Sequence, residues 1–236
     1  MTKNKLEKFE QNKTFPHFFE PKLLYTGEVE FQFKGKWNSD FFKNDNEIIC
    51  EFGCGKGEYS VEMAQIFPDK NVIAFDIKGA RMWKGASQSV ELGLKNIAFV
   101  RTLIEQTPFC FAKDEINEIW LTFPDPQLSP KKRIKKRLTS SIFLTKYQKF
   151  LKNNGIINLK TDDDTLYEYT KKIIDINNLD VLIDTCDLYN SLYYNGLLTI
   201  KTHYEKIWNN EGKTIKYLKF KLPQDKVILE VPIFHP

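Results

Sequence analysis

The feature that most constrains the fold is a regular alternation of short apolar runs with segments of helical spacing in the middle of the chain. Five apolar runs have the length and composition of buried strands, and they span residues 47–52, 71–76, 97–100, 116–123 and 155–160. Four other segments repeat apolar residues at helical spacing, at 58–67, 80–92, 138–151 and 165–177. Strands and helices that alternate in this way form βαβ units around a parallel sheet. The sequence therefore predicts an α/β fold with helices on both faces of the sheet.

The two ends of the chain depart from this alternation. Residues 1–45 are rich in Phe and Lys and are interrupted by two prolines, so we expect an N-terminal arm with one short helix near 38–43. Residues 46–236 are predicted to form a single domain. Its last two strands, at 179–184 and 215–222, are predicted to pair as an antiparallel hairpin at the edge of a mostly parallel, seven-stranded sheet.

The composition is that of a globular chain, since 42% of the 236 residues are hydrophobic. No apolar run is long enough for a membrane span and the polar N-terminus resembles no export signal, so we expect a cytoplasmic protein. The four cysteines form no C-x-x-C pair and the three histidines are scattered, so no metal site is predicted. The net charge is only +4, yet six of the 35 Lys and Arg residues lie within 131–137. Such local charge indicates a docking surface for a polyanion.

The first predicted strand runs into a glycine-rich loop, with Gly53, Gly55 and Gly57 at the spacing G-x-G-x-G. Glycines after a parallel strand let the backbone approach a ligand closely, but a dinucleotide-binding loop has the spacing G-x-G-x-x-G. Glu51 precedes the loop, and Asp76 ends the second strand, where its carboxylate can accept from both hydroxyls of a ribose. The pattern resembles the cofactor site of class I methyltransferases, which bind S-adenosylmethionine. Glu51 suits the positive charges of that cofactor and would repel the pyrophosphate of a dinucleotide.

Other interpretations of this loop stay open. A nicotinamide dinucleotide is the alternative ligand. Glu51 can also be an ordinary solvated residue at a strand end, and Asp76 can be an ordinary cap.

The most distinctive motif is Phe123-Pro-Asp-Pro126, which comes at the end of the fourth predicted strand. Its two prolines stiffen the backbone on both sides of Asp125, whose carboxylate is expected just outside the carboxyl edge of the sheet. The basic tract 131–137 comes shortly afterwards and has the charge density of a phosphate-binding surface. A rigid carboxylate next to such a tract indicates chemistry on a nucleotide within a polynucleotide. The alternatives for the tract are a solvated loop and a nuclear-targeting signal.

Four motifs between residues 47 and 212 together resemble those of the bacterial tRNA (guanine-N7-)-methyltransferase family. They are the glycine loop with Asp76, the Phe123-Pro-Asp-Pro126 motif with its basic tract, Lys160-Thr-Asp162, and Thr202-His-Tyr-Glu205. The resemblance implies a Rossmann-like class I methyltransferase fold and S-adenosylmethionine as the methyl donor. It also implies that the methyl acceptor is the variable-loop guanine of tRNA, at position 46.

The resemblance further implies roles for individual residues. The cofactor would be held by Glu51, Gly53, Gly55, Gly57 and Asp76. Asp125 would be the catalytic carboxylate. The substrate would be bound by Lys131, Lys132, Arg133, Asp162, Thr202 and Glu205.

Two positions depart from the family pattern. Gln127 stands where the family has a tryptophan, and extra residues before the lysines leave open whether Lys131 or Lys132 is the matching lysine. Leu103 stands where the family has an acidic residue that contacts the cofactor, so either the nearby Glu105 or a backbone amide is expected to bind the adenine.

The predicted chemistry needs few catalytic groups. Guanine N7 has a free lone pair at neutral pH, so its attack on a sulfonium methyl requires no general base, and catalysis reduces to positioning and electrostatics. Asp125 can stabilise the developing positive charge on the purine, or select guanine by accepting from N1–H and the N2 amino group. Asp162 can share this work, although residues 162–164 also fit a helix N-cap followed by first-turn acids.

Two other classes of function stay open. One is a methyltransferase for another RNA, a small molecule or a protein, and the other is a non-catalytic RNA-binding relative. The six cations argue against a small neutral substrate, and the intact Glu51, Asp76 and Asp125 argue against a non-catalytic role. The tyrosine-rich stretch 189–194 can stack on bases or simply pack. The sequence leaves open whether the protein is a monomer or a homodimer.

Overall fold

The computed structural model describes residues 4–23, 29–128, 131–201, 205 and 213–232. In chain order its strands are β1 (Phe18–Phe19), β2 (Lys22–Leu23), β3 (Val29–Glu30), β4 (Glu47–Phe52), β5 (Lys70–Asp76), β6 (Ile97–Arg101), β7 (Ile116–Thr122), β8 (Leu151–Thr161), β9 (Val181–Thr185) and β10 (Lys216–Leu222). β2 and β3 form a separate antiparallel pair. The other eight form one sheet in the order β1-β6-β5-β4-β7-β8-β10-β9.

The large sheet is parallel from β1 to β8, whereas β10 is antiparallel to both β8 and β9. The predicted α/β fold with an antiparallel hairpin at the edge is confirmed. The sheet has one strand more than the seven predicted, because Phe18 and Phe19 pair with Phe99 and Val100 of β6. Phe18 is buried and its ring stacks on that of Phe99, with the centroids 6.4 Å apart. A strand of two residues is too short to show a period in the sequence.

Five α-helices accompany the described strands: α1 (Lys5–Asn12), α2 (Glu58–Ile66), α3 (Gly79–Glu91), α4 (Ser141–Tyr147) and α5 (Asp164–Ile176). α2 and α3 cover one face of the sheet, where Met63 and Met82 are fully buried. α4 and α5 cover the other face through buried residues such as Leu144 and Ile173. α1 packs on α3. Short 3₁₀ segments span Ile104–Phe109, Lys131–Lys136 and Gly196–Thr199.

The predicted helices are present, with two differences at their boundaries. The helix predicted over 138–151 is only as long as α4, because the Phe150 carbonyl already accepts from Ile116 N–H, at 3.1 Å, where the pairing of β7 with β8 begins. The short helix predicted near 38–43 is a single π-helical segment, Trp37–Phe42. It belongs to the core, since Trp37 is fully buried.

The carboxyl ends of β4, β5, β7 and β8 meet at one edge of the sheet. The loops after these strands open onto a pocket of about 730 Å³. Open parallel sheets bind ligands at this edge, and this volume is in the range of small-molecule sites. None of the helices in the described part of the chain is long and apolar enough to cross a membrane.

Candidate active site

The glycine loop between β4 and α2 depends on backbone angles that other residues rarely adopt. Gly53, Gly55 and Gly57 have φ of +82°, +56° and +73°, in the left-handed region that glycine enters without steric penalty. A Cβ added at Gly53 or Gly55 would meet nothing within 4 Å. Both residues line the pocket, so their backbone offers an open cradle to a ligand.

Gly57 lies behind this cradle and has a packing role. A Cβ at Gly57 would lie 2.7 Å from Cε1 of Phe99 and 3.3 Å from the Cα of Gly85. Gly85, in α3, is equally constrained, because its Cβ would lie 2.7 Å from the carbonyl oxygen of Lys56. The role of Gly85 was not predicted, since its only signal in the sequence is a glycine inside a helical segment. Because neither glycine has a side chain, the backbone of α3 packs directly against the backbone of the glycine loop.

Asp76, at the end of β5, holds the same loop by hydrogen bonds. Its two carboxylate oxygens accept from Gly55 N–H at 2.9 Å and from Lys78 N–H at 2.8 Å. The carboxylate is half-buried and lines the pocket. A carboxylate oxygen can accept more than one hydrogen bond, so Asp76 both orders the loop and keeps acceptor positions for a ligand.

Glu51, at the end of β4, is a buried carboxylate and not a solvated strand end. Only 1% of its surface is exposed, although it contributes to the pocket wall. It accepts from the hydroxyls of Ser60 in α2 and Thr122 in β7, two partners that no sequence pattern indicated. Burial raises the pKa of Glu51, and the hydrogen bonds from Ser60 and Thr122 oppose that rise.

The Phe123-Pro-Asp-Pro126 motif places Asp125 at the opposite side of the pocket, where its side chain is exposed. Phe123 and Gln127 bracket the motif with φ of +49° and +51°, and non-glycine residues in this region are strained and frequent at functional sites. The Asp125 carboxylate accepts from Gln127 N–H at 2.9 Å. This hydrogen bond within the turn therefore sets the orientation of the Asp125 carboxylate.

Two long-range contacts hold this strained motif. Phe123 N–H donates to the Lys160 carbonyl of β8 at 2.8 Å. Arg137 Nε donates to the Pro126 carbonyl at 2.8 Å, and its guanidinium lies 4.5 Å from the ring centre of Tyr169. Only 4% of Arg137 is exposed, and burial lowers its pKa.

The burial of Arg137 excludes this residue from the predicted phosphate-binding tract. The predicted tract is therefore Lys131–Lys136 and no longer 131–137. A buried side chain that clamps the backbone is not free to neutralise a phosphate. Arg133, Lys135 and Lys136 are exposed, and Lys136 lines the pocket. The side chains of Lys131 and Lys132 lie outside the described part of the chain.

The three aspartates after β8 divide their roles. Asp163 is the N-cap of α5, where it accepts from Leu166 N–H at 2.7 Å, and Asp164 pairs with Lys216 at 2.7 Å. Asp162 lines the pocket, with its Oδ2 3.4 Å from Lys213 Nζ. The N-cap is therefore Asp163, whereas Asp162 lines the pocket, where its predicted contact with the substrate stays a prediction.

Glu205, predicted to bind the substrate, is fully buried in an ion pair with Lys160, at 2.7 Å. It also accepts from the Tyr189 hydroxyl. Lys160 Nζ further donates to the carbonyls of Leu198 and Ile200, at 3.2 and 2.8 Å. Burial lowers the pKa of Lys160, and Glu205 opposes this change. In this arrangement the Glu205 carboxylate has no surface to offer an RNA and acts instead as an internal support.

Three further predictions concern Thr202, the tyrosine-rich stretch and the residue that would contact the adenine. Thr202 lies outside the described residues. The rings of Tyr189 and Tyr194 pack edge to face with their centroids 4.9 Å apart, as expected if these tyrosines pack within the protein. In contrast, 42% of Tyr193 is exposed. Leu103 and Glu105 both line the pocket.

The strand order, the glycine loop and the acidic ends of β4 and β5 together define a class I methyltransferase. Two solved structures share the fold. The 16S rRNA methyltransferase KamB has a TM-score of 0.63 at 12% identity, and the match covers 83% of this chain and 96% of that protein. The 30S ribosomal A1408 methyltransferase from an uncultured bacterium has a TM-score of 0.58 at 16% identity, with the same coverage of 83% and 96%.

Sequence relatives define the family more closely. A family model described as "Putative methyltransferase" matches residues 45–218. The tRNA (guanine-N(7)-)-methyltransferase of Bacteroides fragilis is 52% identical over 99% of this chain and 91% of its own length. Its namesake from Cytophaga hutchinsonii is 39% identical, with coverage of 94% and 98%. The chain belongs to the tRNA (guanine-N7-)-methyltransferase family, which confirms the resemblance inferred from its motifs.

Proposed function

We propose that this protein transfers a methyl group from S-adenosylmethionine to N7 of the variable-loop guanine, position 46, of tRNA. The observation that carries the proposal is one pocket that brings Glu51, Asp76 and Asp125 together with Lys136, one of three exposed cations in this segment. The two relatives described above are named as methyltransferases that act on N7 of a guanine in tRNA. A cytoplasmic location is part of the same proposal, because tRNA is the substrate.

The residues on the β4 and β5 side of the pocket fit the cofactor. Gly53 and Gly55 leave the space that a side chain would fill. Asp76 keeps acceptor positions for ribose hydroxyls, and Glu51 supplies negative charge next to a cationic ligand. Leu103 adds apolar surface and Glu105 a carboxylate to the same pocket. When bound, S-adenosylmethionine supplies an electrophilic methyl group on a sulfonium.

The residues on the β7 and β8 side would position the guanine. N7 attacks with its own lone pair, so the protein needs to orient the base and offset the positive charge that develops on it. Asp125 is exposed to the pocket and oriented by Gln127 N–H, so it is our candidate for both tasks. Asp162 lines the same pocket and is the candidate to share them. The strained backbone at Phe123, held by the Lys160 carbonyl, supports this proposal because it would restrict the position of Asp125.

The exposed cations Arg133, Lys135 and Lys136 would neutralise phosphates of the tRNA around the reacting base. Lysine side chains bind phosphates as point charges without reading a base, so this segment would position the RNA and the pocket would select the guanine.

The test is incubation of the purified protein with labelled S-adenosylmethionine and an unmodified tRNA transcript, followed by mapping of the methylated base. We expect label at N7 of guanine 46 and none in a matched transcript with adenine at that position. Label at another atom or base would point to a different RNA methyltransferase. Cofactor binding without any transfer to RNA would favour the small-molecule or non-catalytic alternative.

A further inference from the structure

A second groove, of about 360 Å³, lies beside the active pocket and is rich in lysine. Lys34, Lys113, Lys146 and Lys149 line it, and they come from three separate parts of the chain. Its one acidic lining residue is Glu105. Three of the lysines are exposed, and Lys146 is half-buried because its Nζ donates to the Glu105 carbonyl, at 3.4 Å.

The carboxylate of Glu115 lies near this groove but is engaged by the backbone. It accepts from Gly35 N–H at 3.0 Å and from Ala112 N–H at 2.8 Å, next to Lys34 and Lys113 in the sequence. Glu115 thus ties the two lysine-bearing loops together. No ion pair within the described part of the chain involves any of the four lysines. The fold therefore concentrates positive charge here and leaves it available to an external anion.

The groove is adjacent to the proposed tRNA site. Glu105 lines both the groove and the active pocket. α4 packs against the 3₁₀ segment Ile104–Phe109 that carries Glu105 and also against Lys131–Lys136. The groove and the basic segment therefore flank one helix, with the pocket opening next to both.

We propose that this lysine groove binds a second stretch of the sugar–phosphate backbone of the same tRNA whose guanine enters the pocket. The inference rests on the proposed function, and it extends the RNA surface beyond the sequence motif. The lysines share the lining of the groove with Pro108 and Phe109. Several ammonium groups on one groove suit a polymer of phosphates, with each ammonium acting as a point charge.

The test compares two triple variants with the same change in net charge. The groove variant is Lys34→Gln/Lys113→Gln/Lys149→Gln, which leaves the internally bonded Lys146 in place. The control is Lys5→Gln/Lys95→Gln/Lys172→Gln, at exposed lysines outside both pocket linings. Affinity for unmodified tRNA is measured over a range of salt concentrations, together with kcat and KM for methylation.

For the groove variant we expect the slope of log affinity against log salt to fall by about 2, since each phosphate that the protein no longer neutralises lowers the slope by roughly 0.7–0.9. KM for tRNA should rise at least about tenfold at low salt, with kcat at saturating tRNA and cofactor affinity unchanged. The control variant should stay within about twofold of wild type. A short hairpin that carries only the variable-loop region should not distinguish the groove variant from wild type.

The outcomes separate this inference from the function on which it rests. If the wild type fails to methylate tRNA, the proposed function is wrong. If the wild type methylates tRNA and the groove variant matches it in KM and salt slope, the groove inference alone is overturned. Equal losses in the groove and control variants overturn it as well, because they reflect net charge and no specific site.

Discussion

The two sides of the pocket hold their functional residues in different ways. After β4 and β5, the carboxylates of Glu51 and Asp76 are fixed by neutral donors, namely side-chain hydroxyls and backbone N–H groups. After β7 and β8, the carboxylate of Asp125 is also held by a backbone N–H, but the strained motif around it is bonded to two residues whose cationic side chains are buried. These bonds join Phe123 to the backbone carbonyl of Lys160 and Pro126 to the guanidinium of Arg137. The Lys160 side chain, in turn, forms the buried ion pair with Glu205.

Each arrangement suits the ligand proposed for its side. Neutral donors orient Glu51 and Asp76 without cancelling their charge, so the cofactor side keeps a negative field for a cationic ligand. The buried cations on the other side are neutralised or bonded within the protein. Positive charge for the RNA is left to exposed residues such as Arg133 and Lys136. If this division is correct, substitutions can damage the two sides separately.

The largest effect is expected from removing one member of the buried ion pair. Glu205→Gln leaves the Lys160 ammonium buried without its carboxylate, a change that destabilises proteins by about 3–5 kcal/mol. Replacing both charges, as in Lys160→Met/Glu205→Leu, is expected to recover at least part of the loss, because apolar pairs often substitute for buried ion pairs without penalty. Urea unfolding of both variants measures this. A double variant less stable than Glu205→Gln would show that Lys160 matters mainly through its bonds to Leu198 and Ile200.

The next effect concerns turnover on the substrate side. Asp125→Asn keeps the size of the side chain but removes its charge, so we expect the barrier to rise by about 2–3 kcal/mol, roughly 30- to 160-fold in rate. Single-turnover methylation of tRNA measures this, and cofactor affinity should not change. Asp175→Asn, an exposed aspartate of α5 outside the pocket lining, is the matched control. A near wild-type rate for Asp125→Asn would move the active carboxylate elsewhere, with Asp162 the first candidate.

The corresponding substitution on the cofactor side is Asp76→Ala. Loss of its charge-assisted hydrogen bonds is expected to weaken S-adenosylmethionine binding by about 1.5–3 kcal/mol. The control is Asp69→Ala, an exposed carboxylate just before the other end of β5. Calorimetry of both variants checks the prediction, with tRNA affinity unchanged in each. Unaltered cofactor affinity in Asp76→Ala, or tight binding of NAD by the wild type, would falsify the cofactor assignment.

A smaller, pH-dependent effect is expected at Glu51, whose pKa is raised by burial. Between its ordinary and its raised pKa the native state binds more protons than the unfolded state. The contribution of Glu51 to stability therefore falls as pH rises through this window. Cofactor affinity should change in the opposite sense, because the cationic ligand favours the ionised carboxylate.

The matched variant for this test is Glu51→Gln, which has no charge to titrate. We expect the wild type to lose cofactor affinity as pH falls through the raised pKa and Glu51→Gln to show a flatter profile. Calorimetry across the acid range measures both profiles. Parallel profiles would show that another group controls the pH dependence.

The cofactor side could be predicted from the sequence better than the substrate side, and the reason is physical. The glycine loop, Glu51 and Asp76 lie at the ends of strands with clear periods, so local pattern alone locates them. Arg137 and Glu205 look like surface charges in the sequence. Their burial depends on contacts with residues far away in the chain, such as Pro126 and Lys160, which no local period reveals.

The smallest effect on stability is expected from the exposed cations, in contrast to the buried Arg137. Arg133→Gln/Lys135→Gln/Lys136→Gln should change the free energy of unfolding by no more than about 0.5 kcal/mol per site, as surface substitutions do. The same variant should lower the salt slope of tRNA binding by roughly 0.7–0.9 for each phosphate that it no longer neutralises. Arg137→Gln should do the reverse, with a lower Tm and an unchanged salt slope, because its side chain is buried against Pro126 and Tyr169. If Arg137→Gln flattens the salt dependence as much as the exposed variant, Arg137 contacts RNA after all and the division between buried and exposed cations is wrong.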